Sequence, residues 1–187
     1  MKLRDIHLRK MLLEELYDEH KNDSNTRIIN ELGIDFGASR IDVAVVNGII
    51  HGFEIKSECD TLLRLPRQME YYNQLFERMT IVVAPKYYNE VKEIIPSWWG
   101  IKVVSSKGDR LITKRKGRKK SSQELELLLK LLWKKELEAL VDVLGYSKKL
   151  KKLKKHELLD LFKCENDITS IKEFVYYSLK TRQNWRD

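Results

Sequence analysis

The chain has little of what marks secreted or membrane-spanning proteins. Its 187 residues include two cysteines, Cys59 and Cys164, too few and too far apart for a disulfide framework or a cysteine metal cluster. No run of about eighteen apolar residues occurs, which excludes a membrane-spanning helix. The opening Met1-Lys2-Leu3-Arg4-Asp5 passes straight into a charged segment rather than the apolar centre of a secretory signal. The expectation is a cytoplasmic protein with reduced thiols and no membrane partner. Proline is scarce too, and Pro66, Pro85 and Pro96 read as punctuation between elements.

Charge is plentiful but unevenly placed. The net charge is +8, yet residues 1–105 carry 14 Lys and Arg against 16 Asp and Glu, while residues 106–187 carry 22 against 12. The positive surplus thus begins after residue 105, and the chain is expected to divide into a core, residues 1–120, that ends in a basic block, and a basic helical region, residues 121–187. Such a split suits a protein that holds a polyanion with one part and acts on it with another. Lysine-rich helices are also often no more than solvated faces.

The core reads as α/β. Residues 4–20 carry Ile6, Leu8, Met11, Leu12, Leu13 and Leu16 at helical spacing, and Arg27 to Leu32 reads as a further helical stretch stopped by Gly33. Arg40 to Val45 and Gly52 to Ser57 alternate as two strands around Asn47-Gly48. A two-residue turn would put Asp42 and Glu54 on opposite faces. A three-residue loop, Val46-Asn47-Gly48 with a left-handed Gly48, puts them on one face. Hydrophobicity favours the second register, with Ile41, Val43, Val45, Ile49, Phe53 and Ile55 together and Asp42, Ala44, Gly52, Glu54 and Lys56 opposite. Thr80 to Ala84 reads as a strand covered on both faces, Tyr87 to Ile95 as a short helix and Ile101 to Val104 as another strand. The Trp98-Trp99 pair reads as packing at the sheet edge.

Two carboxylates on one strand face are hard oxygen ligands for Mg²⁺ or Mn²⁺, and Lys56, two residues after Glu54, shares that face. The ammonium would orient an attacking water or stabilise charge on a phosphoryl transition state. An ordinary solvent-facing hairpin accounts for the same residues. Pro66 opens a helix on which Gln68 and Tyr72 stand one turn apart on one face.

Taken together, Asp42, Glu54-Ile55-Lys56 and Gln68-Met69-x-x-Tyr72 resemble the PD-(D/E)XK nuclease superfamily, specifically its RecB-like branch. Residues 52–57, Asp60-Thr61-Leu62 and Arg64-Leu65 are also similar to small bacterial and phage proteins of that superfamily. The resemblance covers roughly residues 25–105, and Ile41 stands where the superfamily's name has proline. It implies a restriction-endonuclease-like core with a mixed central sheet. It also implies a Mg²⁺-dependent nuclease acting on DNA, with Asp42, Glu54 and Glu31 as metal ligands, Lys56 as catalytic cation and Gln68 and Tyr72 shaping the site. Without the resemblance Glu31 reads as a surface carboxylate.

The tail begins with a basic block, Lys114, Arg115, Lys116, Arg118, Lys119 and Lys120, which reads as a linker or exposed ribbon. A long amphipathic helix is expected from Leu125 to Leu144, stopped by Gly145, then Lys148, Lys149, Lys151 and Lys152, and helices over 156–162 and 168–179. Leu137 to Phe162 resembles a SAP-type helix-extension-helix DNA-binding motif. Candidate nucleic-acid contacts are these basic residues together with Arg40, Arg64 and Arg67. A homodimer or a protein partner held through the tail stays open, as does a non-cleaving nucleic-acid-binding or regulatory protein on the same fold.

Overall fold

A computed structural model describes residues 2–183 and Trp185. The protein is a mixed α/β fold in which six strands form one sheet in chain order: β1 (Arg27–Ile34), β2 (Ser39–Val46), β3 (Ile50–Lys56), β4 (Arg78–Val83), β5 (Gly100–Val104) and β6 (Leu111–Arg115). β1, β2 and β3 are antiparallel, β3, β4 and β5 parallel, and β6 returns antiparallel to β5. The two parallel steps need crossovers, supplied by α2 (Leu65–Leu75) and α3 (Tyr88–Ile94). No described helix is long and apolar enough to cross a membrane.

One face of the sheet is covered by α1 (Asp5–His20), whose Leu8, Leu12 and Leu16 bury against Val43, Val45, Phe53, Ile55, Val82 and Val104. The i, i+4, i+8 spacing of those leucines puts them on one stripe. The other face packs on α2 and on four C-terminal helices, α4 (Leu125–Lys130), α5 (Lys134–Val143), α6 (Lys155–Phe162) and α7 (Ile168–Thr181). Leu128, Leu132, Leu140, Phe162 and Val175 share one hydrophobic cluster with Ile50, Tyr72 and Phe76.

A buried carboxylate ties the last helix to the sheet. Glu77, 1% exposed, accepts hydrogen bonds from Lys172 Nζ at 2.6 Å, the Tyr176 hydroxyl at 2.7 Å and the Ile50 amide at 3.2 Å. Burial next to Glu77 pushes the Tyr176 phenol well above its usual range.

Three local expectations are corrected. Arg27 to Leu32 is strand, not helix, because pairing with β2 from Arg27↔Val46 to Ile34↔Ser39 satisfies its backbone. Glu31 therefore lies in a strand. The helix expected over 125–144 is broken, with Trp133 extended (φ −78, ψ 163) and its amide capped by Glu136 Oε2 at 2.6 Å. The basic block is no free linker: Leu111 to Arg115 is an edge strand, and beyond it the Arg118 and Lys120 amides bond the Trp98 and Glu77 carbonyls.

Candidate active site

The hairpin has the parity that hydrophobic alternation demands, shifted by one pair. Val46 faces Ile50 and Val43 faces Phe53, so the loop is Asn47-Gly48-Ile49, with Gly48 left-handed at φ 64. Glycine fits there because a Cβ would make that conformation costly. The even register holds.

The expected face of Asp42 needs correction. In β2, Ala44 and Val46 pack on the α2 face and Val43 and Val45 on the α1 face, yet Ile41 packs on the α2 face as well. β1 slips the same way, with Ile29, Leu32 and Ile34 on one side, and Glu31 between them adopts φ 54. At the level of Glu31 and Asp42 both strands break step, and the Asp42 carboxylate leaves the simple alternation. It enters the ladder: Asp42 Oδ2 accepts the Ile55 amide at 2.7 Å. Its other oxygen accepts Arg9 Nη2 of α1 at 2.9 Å, and Arg9 Nη1 donates to the Asp42 carbonyl at 2.9 Å.

Glu54 stays in phase and turns toward α2. It is 2% exposed and Lys56 is 4% exposed. Lys56 Nζ donates to Glu54 Oε1 at 2.7 Å and to Gln68 Oε1 at 3.0 Å. Gln68 Nε2 lies 2.8 Å from Glu54 Oε1 and 3.2 Å from the Tyr72 hydroxyl. That hydroxyl is 2.8 Å from Glu54 Oε2 and 2.7 Å from the Arg40 carbonyl, and its single proton serves one of them at a time. Pro66 in the first turn of α2 sets Gln68 and Tyr72 on the inward face.

Asp42, Glu54 and Lys56 line one cleft of about 660 Å³, walled by α1 through Arg9, by the turn after β1 and by α2 through Gln68 and Tyr71. That turn holds Asp35, Phe36 and Gly37 at positive φ, and Lys130 Nζ pins Asp35 at 2.9 Å. Arg40, Arg64 and Arg67 stand on the rim, and Arg40 bonds Glu31 at 3.0 Å.

Burial raises the Glu54 carboxyl above its usual range, the nearby Asp42 charge pushes it further, and Lys56 opposes both. Burial raises Asp42 as well, against the Ile55 amide and Arg9. Two buried carboxylates, one of which opposes the other's ionisation, are a donor set that a hard divalent cation relieves. Glu31, half-exposed and paired with Arg40, sits at the margin of the cleft. Among the described residues no group of three or more Asp, Glu, His or Cys side chains is arranged to hold a metal ion. The donors that fit such an ion are thus the two Asp42 oxygens and Glu54 Oε2, each with a lone pair beyond its present hydrogen bond, whereas Glu54 Oε1 already accepts two.

Arg9 is the site residue that sequence reasoning missed. It also bonds Asp5 at 3.0 Å and approaches Glu31 to 3.9 Å, and only its i, i+4 spacing from Asp5 is visible in the sequence. The tail lysines lie elsewhere. Lys148, Lys149 and Lys152 are exposed, while Lys151 pairs with Asp142. Lys114 lies 6.0 Å from the Tyr88 ring, Arg115 and Arg118 bond Trp99 and Ser97, Lys119 lies 3.9 Å from Glu77, and Lys120 bonds the Asn73 carbonyl.

The whole chain, residues 1–187, matches the family described as Bacteriophage P4 protein cII. The chain belongs to the phage P4 cII family. Protein cII of Enterobacteria phage P4 is 33% identical over 184 residues, spanning 96% of this chain and 68% of that relative. A solved structure, the SPO1766 protein of unknown function from Silicibacter pomeroyi, matches 77% of this chain and 98% of its own. Its sequence identity is 17% and its TM-score 0.45, too distant to bear on fold or function.

Proposed function

We propose that this member of the phage P4 cII family is a metal-dependent nuclease on a restriction-endonuclease-like core, hydrolysing phosphodiester bonds with DNA as substrate. The observation that carries the reading is the convergence of Asp42, Glu54, Lys56 and Gln68 on one cleft, with Tyr72 bonded to Glu54 from the buried side and Arg40, Arg64 and Arg67 at the rim. Bound between Asp42 and Glu54, Mg²⁺ or Mn²⁺ would supply a water of lowered pKa and neutralise phosphate charge. Gln68 and Tyr72 orient Glu54 by hydrogen bonds to both its oxygens. Lys56 bonds Glu54 and Gln68, which leaves one N–H of its ammonium to orient a water or a phosphate oxygen. The rim arginines hold the flanking phosphates. DNA rather than RNA rests on the resemblance to RecB-like nucleases.

Incubation of circular, linear, branched and single-stranded DNA, and of RNA, with Mg²⁺, Mn²⁺ or EDTA tests this directly. Metal-dependent product is expected from the native chain, and a loss of at least about 100-fold from Glu54→Ala and Lys56→Ala, the range for removing a group that stabilises a transition state. No metal-dependent product above the Glu54→Ala background on any substrate refutes cleavage.

A second reading, a non-cleaving nucleic-acid-binding or regulatory protein, draws on one observation. All four oxygens of Asp42 and Glu54 already accept hydrogen bonds, and each carboxylate has its own cation, Arg9 and Lys56. A charge-balanced network of this kind holds together without a metal.

A further inference from the structure

At the other end of β3 a second cavity of about 540 Å³ opens between α1 and strands β3 to β6. It is lined by four cations, Arg78, Lys102, Arg115 and Lys116, against two carboxylates, Glu15 and Glu19. Lys102 pairs with Glu15. Arg115 is held by the Trp99 and Pro96 carbonyls at 2.7 and 3.2 Å, neutral acceptors that leave its charge uncompensated.

Arg78 is the decisive residue. Its Nε is buried and has no hydrogen-bond partner among the described residues, and no described carboxylate pairs with it. Gly117 lies so close to the start of β4 that an added Cβ would stand 2.8 Å from the Met79 carbonyl and 3.1 Å from Arg78 Cγ. The chain after β6 therefore packs directly on the Arg78 stem. Nε is enclosed and out of a ligand's reach, but the two terminal nitrogens of Arg78 also have no hydrogen-bond partner among the described residues and are not enclosed, so the open end of the guanidinium is free to pair with an anion in the cavity.

The neighbouring groups point to the same ligand. His51 stays neutral: burial first, then the charges of Arg78 and Lys102, lower its pKa to about 3. Its Nε2 lies 2.9 Å from Thr80 Oγ1, and Thr113 also lines the cavity. Several cations and a forked donor, with the Thr80 and Thr113 hydroxyls beside them, suit a tetrahedral, multiply charged oxyanion better than a single carboxylate.

We propose that this cavity is a phosphate-binding site, with Arg78 as its principal donor and Lys116 as a supporting charge. The phosphate is either a free anion or a phosphodiester of a nucleic acid. The site is separate from the carboxylate cleft and does not depend on cleavage.

The test is an NMR titration of the full chain in EDTA, following the His51 and Thr80 signals. Inorganic phosphate, a short DNA duplex and a single-stranded oligonucleotide are added in turn, with chloride matching the ionic strength. Saturable shifts at His51 and Thr80 are expected with phosphate, weakened at least tenfold by Arg78→Gln and several-fold by Lys116→Glu. Saturation of the same signals by DNA at lower concentration identifies the phosphodiester as the source, and saturation by phosphate alone identifies the free anion. Lys116 is exposed, so its variant carries the test if Arg78→Gln does not fold. Shifts no larger than those in chloride, or equal affinities in native and variant chains, overturn the site whatever the outcome of the cleavage assays.

Discussion

Replacing Arg9 with methionine separates a metal site from an ion-pair network. The guanidinium makes two hydrogen bonds to Asp42, at 2.9 Å to the carboxylate and 2.9 Å to the carbonyl, and both side chains are mostly buried, 18% and 24% exposed. A hydrogen bond to a charged group contributes about 1.5–3 kcal/mol, and breaking a fully buried pair costs about 3–5 kcal/mol. Methionine keeps much of the packing, so a loss of about 2–4 kcal/mol is expected. At about 2–4 °C per kcal/mol for a chain of this size, Tm falls by roughly 5–15 °C. In the variant Asp42 and Glu54 still line one cleft, but without the cation from α1. If they form a metal site, Mn²⁺ at a hundredfold excess over its Kd returns about 2.7 kcal/mol, most of the loss. In the native chain the ion competes with Arg9 for Asp42 Oδ1 and stabilises less. Thermal unfolding of both chains in EDTA and in millimolar Mn²⁺ measures the difference. A Tm for Arg9→Met that is the same in EDTA and Mn²⁺ refutes the metal reading and leaves the charge-balanced network as the better account.

The remaining predictions concern pH, the C-terminal helices and the tail. Asp42 and Glu54 both bind protons more tightly in the folded state than their ordinary values of 3.8 and 4.5, so the folded chain takes up protons first on acidification. Their destabilising contribution is therefore present above the raised folded values and shrinks as pH falls through them toward the ordinary ones. Urea midpoints at pH 7 and 5.5 should show a smaller acid-side gain in Glu54→Gln than in the native chain, and equal slopes would refute it. Tyr176→Phe, which removes one donor to buried Glu77, should cost about 1–3 kcal/mol without touching the cleft, and an unchanged urea midpoint would refute that contribution. Deleting residues 121–187 should unfold the remainder, because Leu128, Leu132 and Val175 share a core with Ile50 and Tyr72; a cooperative thermal transition in the fragment would contradict this. Reversing the charge of exposed Lys148, Lys149 and Lys152 should weaken DNA binding and flatten its salt dependence, and unchanged affinity and slope would leave a protein partner as the better reading of the tail.

The sequence by itself determined what depends on local period. Alternation around Asn47-Gly48 selected the even hairpin parity, because a one-residue slip would have exposed Val43, Val45 and Phe53. Spacing of four and a proline at the first turn set Gln68 and Tyr72 on one face of α2, and the apolar run at residues 80–84 marked the sheet interior. What depends on distant partners was decided only in three dimensions. Arg27 to Leu32 has no strong period of its own, and strand pairing with β2 overrode its helical reading. The break in step at Glu31 and Asp42 involves two strands together, so neither shows it alone. Arg9 meets Asp42 from 33 residues away, and Lys172 and Tyr176 meet Glu77 from 95 and 99. Periodicity specifies which face a residue takes, but which charges meet across the core follows from how elements pack, and buried charges accept few partners once packed.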